Sequence, residues 1–331
     1  MINCRSISEV LGVGGHVPST DDSPNCAPDT RNDTRNDTGG AASDVGPLVV
    51  KLGGAAVDDP AQCPWLWEAL RELHEAHPGG LVLVHGGAVA VDRQLASMGL
   101  TSERREGIRL TPAEHIGAIV GVLAGSLNTA LVGWLRRSGA PAVGLTLGDG
   151  GLCRVIKSTR FAFDPGFVGE IIGGSPRVVD ALLAADLLPV LSSIGIDDLG
   201  QALNINADEA AAGVAAIVGA SGLLLLTDTP GVFGRDGTVI ESLDAETIET
   251  LIAEGVIAGG MIPKVRGALE AARSAGVPVT IASWRSSDDI QRLAQGRRAG
   301  TRVLPGRRAN RLEEPELPAL RSSIPARASV H

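Results

Sequence analysis

Two lysines, each close to a pair of glycines, are the residues of this sequence best suited to hold a phosphate group. Lys51 ends an apolar run that begins at Leu48, and Gly53 and Gly54 follow it. Glycines let backbone N–H groups approach a phosphate without a Cβ in the way, and the lysine adds a compact positive charge. Lys264 follows a Gly-Gly-Met-Ile-Pro segment at a predicted helix start, where a cation is unfavourable unless an anion binds beside it. The Lys51 feature alone is weak, because a strand that ends in two glycines is usually a plain turn, whereas the unfavourable position of Lys264 indicates a functional role.

The string His85-Gly86-Gly87-Ala88 makes a second turn of the same kind. It follows an apolar run and precedes a helical pattern, so its backbone N–H groups form a second anion cradle at a helix N-terminus. Two cradles on one sheet edge favour an anion-binding role over two unrelated turns. His85 is interpreted as a structural turn residue, because no Ser, Cys or carboxylate lies near it in the sequence to make a nucleophilic pair.

Arg109 stands just before a predicted helix, and its planar guanidinium suits bidentate binding of a carboxylate. Thr111, Pro112 and Glu114 fit a capping box at the start of that helix, which gives these three residues a sufficient structural role. Arg109 has no such explanation and is a candidate binding residue.

Asn204 and Asp208 lie at the start of an Ala-rich helical run. Asn206 and Glu209 fit the capping box of this helix, so both have a structural explanation. Asn204 is left as a candidate functional residue. Asp208 either complements the helix dipole or acts in catalysis, and the residues alone do not choose between these roles.

All of these residues lie where strands end or helices begin in an α/β pattern. Apolar spacing from Ile116 to Leu135 predicts one long amphipathic helix. The alternation of strands and helices predicts a mainly parallel sheet, whose ligands bind beyond the carboxyl ends of the strands. Continuous apolar runs predict five strands buried on both faces, at Leu48 to Lys51, Leu81 to Val84, Leu188 to Leu191, Leu223 to Thr227 and Val277 to Ala282.

Composition limits the function of the 331 residues. The formal net charge is −9 and only eight residues are aromatic, which argues against a general nucleic-acid binder. No apolar run approaches the roughly 20 residues of a membrane span, and the N-terminus lacks a signal-peptide pattern, so a cytoplasmic protein without a membrane partner is expected. The four cysteines are far apart and predict no metal site.

Both ends of the sequence differ in composition from its middle. Residues 1–46 are rich in Gly, Ser, Thr, Asn, Asp and Pro, contain a short Asp-Thr-Arg-Asn repeat and carry no aromatic residue. They are predicted to be a disordered extension, and residues 306–331 a flexible tail. Residues 47–305 are predicted to form the folded domain.

Six strings, in this order, resemble the amino acid kinase family, and within it the acetylglutamate kinase branch. The similarity spans about residues 47–305, and the arginine turn and the Asn-Ile-Asn-Ala-Asp string favour this branch over carbamate, uridylate and aspartate kinases. The strings are Lys51-Leu52-Gly53-Gly54, His85-Gly86-Gly87, Gly107-Ile108-Arg109-Leu110-Thr111, Asn204-Ile205-Asn206-Ala207-Asp208, Thr227-Asp228-Thr229-Pro230-Gly231-Val232 and Gly260-Met261-Ile262-Pro263-Lys264-Val265.

The resemblance implies a three-layer sandwich of the carbamate kinase-like fold, with an acceptor-binding N-terminal part and an ATP-binding C-terminal part. It implies transfer of the ATP γ-phosphoryl group, with Mg²⁺ held mainly by phosphates and water, to the γ-carboxylate of N-acetyl-L-glutamate in arginine biosynthesis. Lys51 and Lys264 would flank the migrating phosphoryl group, and Asp208 would hold both ammonium groups.

The same resemblance implies the roles of the remaining site residues. Arg109 and Asn204 would bind the acceptor, together with Gly87 and Ala88. The phosphate-binding glycines would be Gly53, Gly54 and Gly86. The nucleotide would lie on Asp228, Thr229, Pro230, Gly231, Val232 and Phe233, with Val256, Ile257 and Ala258 as a second contact.

The sequence departs from the family pattern at Ala88, where the family usually has a third glycine. If that position needs a positive φ, alanine costs roughly 1 kcal/mol; we expect a common backbone conformation instead. Members inhibited by arginine carry an extra N-terminal helix that links dimers into hexamers, but residues 1–46 have a poor helix pattern.

The segment from Leu293 to Leu304 also lacks the aromatic residue of arginine-sensitive members. These two departures predict an arginine-insensitive homodimer, with the long helix near the dimer contact. No sequence feature supports a PII-type partner.

Two rival functions remain from the sequence. A sister kinase would act on acetylaminoadipate, whose extra methylene changes discrimination by only about 1 to 3 kcal/mol. A non-catalytic binding protein on the same fold is disfavoured, because a binder needs no pair of transition-state lysines.

Overall fold

The computed structural model describes residues 45–295 and 297–306. The predictions for the N-terminal extension and the C-terminal tail fall almost wholly outside these residues. The helices are α1 Ala55–Asp58, α2 Pro64–Ala76, α3 Ala88–Ser97, α4 Ala113–Val120, α5 Asn128–Arg137, α6 Arg177–Ala184, α7 Ala207–Ile217, α8 Ala245–Ala253, α9 Met261–Ala275 and α10 Ser287–Ala294. The strands are β1 Leu48–Leu52, β2 Leu81–His85, β3 Arg104–Arg105, β4 Ile108–Arg109, β5 Ala142–Thr146, β6 Cys153–Lys157, β7 Gly169–Gly174, β8 Leu188–Ser192, β9 Ile194–Ile196, β10 Ala202–Asn204, β11 Gly222–Thr227, β12 Ser242–Leu243, β13 Val279–Ser283 and β14 Thr301–Val303.

Eight strands form one central sheet in the order β12-β14-β13-β11-β1-β2-β8-β5. Neighbouring strands are parallel except for the β13–β14 pair. The five apolar runs of the sequence lie in this sheet as β1, β2, β8, β11 and β13, so the predicted mainly parallel sheet is confirmed. Smaller antiparallel pairs join β3 to β4, β6 to β7 and β9 to β10.

The sheet is covered by helices on both faces, which confirms the three-layer sandwich. Successive residues of β1 point to opposite sides: Val49 joins the core cluster of α7, α8 and α9, and Val50 joins that of α2, α3 and α5. Both residues are fully buried. Burial on two faces explains why these strands are continuous apolar runs rather than alternating patterns.

The connections on either side of β1 open a crevice at one point of the sheet. The chain passes from β1 to β2 through α2, and from β11 to β13 through α9, and these helices lie on opposite faces. β1 and β11 are neighbours, so the connections beyond their carboxyl ends diverge. In open α/β sheets, ligands bind at such a switch point.

The long apolar helix predicted from Ile116 to Leu135 extends from residue 113 to residue 137. It comprises α4, a π-helical segment over Gly121–Leu127, and α5. This stretch has 25 residues, and its most apolar window of 18 residues has a mean hydropathy of 1.8, so by length and composition it could cross a membrane. The expectation that no segment would meet that criterion was therefore wrong. One side of the helix packs on the sheet through Leu123, Leu127 and Leu131, and 33% of its most apolar window is buried.

The two predicted helix caps have different outcomes. Asn206 caps α7, and its side-chain oxygen accepts hydrogen bonds from the N–H groups of Asp208 and Glu209. The capping box predicted at Thr111 was wrong, because α4 starts after Pro112 without a side-chain cap. The hydroxyl of Thr111 instead donates to the Arg109 carbonyl and accepts a hydrogen bond from Asn204, which lies far away in sequence.

A buried polar network ties the end of β2 to α5. His85 is fully buried, and its Nδ1 lies 3.0 Å from the carbonyl oxygen of Gly86, while its Nε2 lies 3.0 Å from Asn128 Nδ2. The same amide nitrogen donates to the carbonyl of Val190 in β8 at 2.9 Å. A Cβ on Gly144 would lie only 2.0 Å from Asn128 Oδ1, so the glycine of β5 makes room for this amide. Desolvation lowers the pKa of His85 to about 4, although the Gly86 carbonyl favours protonation.

The buried His85 is expected to make the protein less stable in acid. Its pKa is about 6.5 when unfolded and about 4 when folded, so the unfolded state binds the proton first as the pH falls. The stabilisation is complete above pH 6.5 and is lost between pH 6.5 and 4, by about 3 kcal/mol in all. Urea unfolding from pH 7 to pH 4 measures it, with His85→Asn as the control. Equal pH slopes for the two proteins would contradict this burial effect.

Candidate active site

A cavity of about 250 Å³ opens where β1 and β11 end, at the switch point of the sheet. We call it the lysine cavity. Its lining includes Lys51, Gly53, Gly54, Asp208, Asp228 and Lys264. The structure thus brings together six of the residues that the sequence singled out from four separate segments.

Lys51 and Asp208 form an ion pair in the lysine cavity, with Nζ and Oδ1 2.9 Å apart. The lysine side chain is 16% exposed and the aspartate 58%, so the ammonium sits deeper than its counter-ion. A Cβ on Gly53 would lie 2.8 Å from Lys51 Nζ. The glycine therefore lets the ammonium fold back over its own turn, where it can face a ligand as well as Asp208.

Lys264 reaches the same cavity from the first turns of α9. Its side chain is exposed, and it has no ion-pair partner among residues 45–295 and 297–306. The resemblance implied that Asp208 holds both lysines, but in this part of the chain Asp208 pairs with Lys51. The partial positive charge at the start of α9 adds to the Lys264 ammonium and favours an anionic ligand there.

Asp228 follows β11 and is held in place by side chains from the β13 end of the sheet. Its Oδ1 accepts hydrogen bonds from Trp284 Nε1 at 3.0 Å and from Arg285 Nη2 at 3.2 Å. A Cβ on Gly54, whose φ is +63°, would lie 3.3 Å from Asp228 Oδ2. The family resemblance predicted that Asp228 lies on a nucleotide-binding loop. The sequence did not predict that Trp284 and Arg285 orient its carboxylate.

The remaining candidate nucleotide residues do not line the lysine cavity. Gly231 has a φ of +153°, and a Cβ there would collide with Val239 and Thr301, so this turn requires glycine. Val232 is buried and its N–H donates to Thr301 Oγ1, whereas Phe233 is 45% exposed. In the second predicted contact, Val256 to Ala258, the Ile257 side chain belongs to the core. Its side chain therefore cannot touch a nucleotide at the surface.

A second cavity, of about 150 Å³, lies against the N-termini of α3 and α7. We call it the arginine cavity. Its lining includes Gly86, Gly87, Ala88, Arg104, Arg109, Arg160, Asn204 and Asn206. The sequence predicted five of these residues as parts of an acceptor and phosphate site, and Arg104, Arg160 and Asn206 were not among them.

Arg109 is nearly buried, and its guanidinium is oriented by three groups. Nη1 donates to Asp92 Oδ1 and to Ser102 Oγ, and Nη2 donates to the Ala88 carbonyl at 2.9 Å. Burial opposes ionisation of Asp92, but hydrogen bonds from Arg109, Arg104 and Ser102 outweigh it and hold the pKa of Asp92 well below its usual range. Three of the five guanidinium hydrogens are used, which leaves Nε–H and one Nη2–H as donors.

The other candidate acceptor residues also have defined positions. Asn204 Nδ2 lies 3.2 Å from Thr111 Oγ1, which fixes its amide beside the cavity. A Cβ on Gly87 would lie 2.3 Å from Leu127 Cδ2 and 2.9 Å from Leu123 Cδ2, so a larger residue here would have to displace both leucine side chains. Ala88 begins α3, and its φ is negative, because Glu106 and Asp186 are the described non-glycine residues with positive φ. The expected common conformation of Ala88 is confirmed.

The first turn of α7 joins the two cavities. Asn206 and Ala207 line the arginine cavity, whereas Asp208 lines the lysine cavity. A Cβ on Gly86 would lie 3.0 Å from the Cβ of Ala207, so the Gly86 turn packs closely against the first turn of α7. Glu209, next along the helix, accepts hydrogen bonds from Arg160 Nη2 on both carboxylate oxygens, at 2.6 and 2.5 Å. No local motif in the sequence connects Arg160 to this site.

Comparison with solved structures supports this fold. The chain is 26% identical to smu.665 from Streptococcus mutans, with a TM-score of 0.59 over 78% of this chain and 98% of that one. It is 23% identical to an N-acetylglutamate synthase from Neisseria gonorrhoeae, with a TM-score of 0.65, over 78% of this chain and 59% of the synthase. It is 19% identical to the Giardia lamblia carbamate kinase bound to AMP-PNP, with a TM-score of 0.53, over 79% of this chain and 99% of the kinase.

The family assignment comes from a model of related sequences that covers both cavities. Residues 46–283 match the model of the amino acid kinase family, which is well over half of the chain. This range includes the turn after β1, the turn at His85-Gly86-Gly87, the start of α9 and the end of β13. The chain therefore belongs to the amino acid kinase family, a phosphotransferase fold.

Proposed function

We propose that this protein is an acetylglutamate kinase. It transfers the γ-phosphoryl group of ATP to the γ-carboxylate of N-acetyl-L-glutamate and gives N-acetylglutamyl 5-phosphate for arginine biosynthesis. The observation that carries the proposal is the first turn of α7, which connects a cavity lined by two lysines to one lined by three arginines and Asn204. This arrangement suits a small anionic acceptor next to a phosphoryl donor.

In the proposed complex, Arg109 binds the carboxylate of the acceptor that does not react. Its Nε–H and remaining Nη2–H can form a two-point contact, and Asp92 keeps the guanidinium in one orientation. Asn204, aligned by Thr111, supplies an amide to the acetamido group. Gly87 and Ala88, at the start of α3, offer backbone N–H groups to the reacting carboxylate.

The transfer step needs positioning and charge neutralisation. An oxygen of the γ-carboxylate attacks the γ-phosphorus, the bond to the β,γ-bridging oxygen breaks, and ADP leaves with that electron pair; no proton has to move. Lys51 and Lys264 flank the migrating group and neutralise its charge. Asp208 positions Lys51 through the 2.9 Å ion pair. The N–H groups of the turns at Gly53, Gly54 and Gly86 complete the cradle.

The nucleotide binds on the side of β11, along the loop from Asp228 to Phe233, with Val256 and Ala258 as a second contact. Among the described residues, no group of three or more His, Cys, Asp or Glu could hold a metal ion. We propose that Mg²⁺ is carried by the ATP phosphates and water. When bound, the ion would neutralise phosphate charge in the nucleotide.

We further propose a cytoplasmic, arginine-insensitive homodimer with the helix of residues 113–137 at its contact. Four glycines of this helix, at positions where an added Cβ would meet no atom within 4 Å, leave a smooth apolar face. They are Gly117, Gly121, Gly125 and Gly133. Such a face suits close packing against a second copy of the helix. A PII-type partner has no support in the described contacts.

The acceptor assignment is tested by trapping the acyl phosphate with hydroxylamine. We expect hydroxamate to form with ATP and N-acetyl-L-glutamate, at equal rates with and without arginine. The longer acetylaminoadipate should have a kcat/KM that is lower by about 10-fold or more. Preference for acetylaminoadipate would overturn the substrate, and absence of hydroxamate with either acceptor would favour the non-catalytic binding protein.

Replacing Lys264 by alanine should lower kcat by about 100-fold or more, because one positive charge on the transferring phosphoryl group is lost. The exposed side chain has no ion-pair partner in the described part of the chain, so stability should be unchanged. Initial rates and thermal unfolding of Lys264→Ala measure both effects. The matched control is Arg266→Ala on the same helix, whose side chain pairs with Glu249 at the surface. Undiminished hydroxamate from Lys264→Ala would exclude Lys264 from catalysis.

Replacing Gly121 by arginine should dissociate the proposed dimer, because a long charged side chain would stand in the smooth helix face. Light scattering coupled to size-exclusion chromatography gives the mass directly. Wild type should elute at twice the chain mass of 33.9 kDa and Gly121→Arg at the chain mass. Glu270→Arg, an exposed change on α9, should remain dimeric. A monomeric wild type would refute the dimer.

A further inference from the structure

His85 has both ring nitrogens engaged, and this fixes its tautomer. The Gly86 carbonyl oxygen can only accept, so the Nδ1 that lies 3.0 Å from it must carry the proton. Asn128 Nδ2 can only donate, so His85 Nε2, 3.0 Å away, must be the acceptor. The amide itself cannot be reversed, because the same nitrogen donates to the Val190 carbonyl. The imidazole is therefore neutral and donates to Gly86.

The hydrogen bond from His85 determines the orientation of one peptide group. The described residues contain no cis peptide bond, so the Gly86 carbonyl and the Gly87 N–H point in opposite directions. When His85 holds the carbonyl oxygen, the Gly87 N–H must turn away from the imidazole. Among the described residues, no backbone or side-chain acceptor takes a hydrogen bond from this N–H, and Gly87 lines the arginine cavity. Without a Cβ, glycine could otherwise rotate this peptide easily.

We propose that His85 is a positioning residue, which fixes the Gly86–Gly87 peptide so that the Gly87 N–H faces the reacting carboxylate and the phosphoryl group. This inference rests on the proposed kinase function. Asn128 supports this role, because its hydrogen bond to His85 Nε2 keeps the proton on Nδ1, from which His85 donates to the Gly86 carbonyl. Leu123 and Leu127 of the same helix occupy the space that a Cβ on Gly87 would fill. The anion-binding turn is thus held by a side chain of β2 and by the long helix.

Two variants separate this role from a purely structural one. In His85→Asn the side-chain amide nitrogen can take the place of Nδ1, so the hydrogen bond to Gly86 can be kept. In His85→Gln the amide reaches the position of Nε2, and the donor to Gly86 is lost. Both remove a buried ring, so similar losses of stability are expected, and unfolding curves check that they match.

Steady-state kinetics should distinguish the variants. We expect kcat of His85→Gln to fall by about 100-fold or more, as for loss of one backbone donor to a transition state, with little change in the KM for ATP. His85→Asn should recover at least 10-fold of that loss, by the same reasoning. Equal kcat values for the two variants at equal stability would overturn the proposal.

A spectroscopic measurement on the wild type gives a test that needs neither activity nor a variant. The ¹⁵N spectrum of the His85 imidazole at pH 7 should show a protonated Nδ1 and an unprotonated Nε2. The opposite tautomer, or a charged ring, would refute the proposal even in an active enzyme. A wild type that binds no acceptor and forms no acyl phosphate, with the expected tautomer, would refute the kinase function instead.

Discussion

The ion pair between Lys51 and Asp208 is the interaction on which the proposed site depends. It joins the end of β1 to the first turn of α7, two elements more than 150 positions apart in sequence. Because Asp208 follows Asn206 and Ala207, the pair also fixes the distance between the lysine and arginine cavities. Asn206 caps the helix and holds this turn rigid. A donor and an acceptor that bind in the two cavities would meet at this turn.

Charge makes this local arrangement necessary. Of the net charge of −9, residues 1–46 carry −4 and residues 306–331 carry +2, so −7 remains on residues 47–305. The overall field of such a domain repels anionic substrates, and attraction must come from individual cations and helix N-termini. In the proposed enzyme, Lys51, Arg109 and Lys264 supply this attraction at strand ends and helix starts. Asp92 and Asp208 then hold Arg109 and Lys51 in place.

The sequence could predict the sheet and most of the candidate site, because the strands are continuous apolar runs and the site residues directly follow them. It could not predict which side chains hold these residues. Asp92 beside Arg109, Trp284 beside Asp228, and Asn128 beside His85 are contacts between distant segments. Thr111 is an example of a wrong prediction that results: its position in the sequence fits a helix cap, but its hydroxyl accepts a hydrogen bond from Asn204. Local patterns carry no information about such partners.

In the proposed enzyme, the two cavities form one phosphoryl-transfer site across the first turn of α7. A crystal structure with N-acetyl-L-glutamate, ADP, Mg²⁺ and aluminium fluoride tests it most directly, because this set imitates the transferring phosphoryl group. We expect the fluoride to lie within hydrogen-bond distance of both Lys51 Nζ and Lys264 Nζ, with the acceptor carboxylate on Arg109. An acceptor bound outside the arginine cavity, or an analogue that contacts neither lysine, would contradict it.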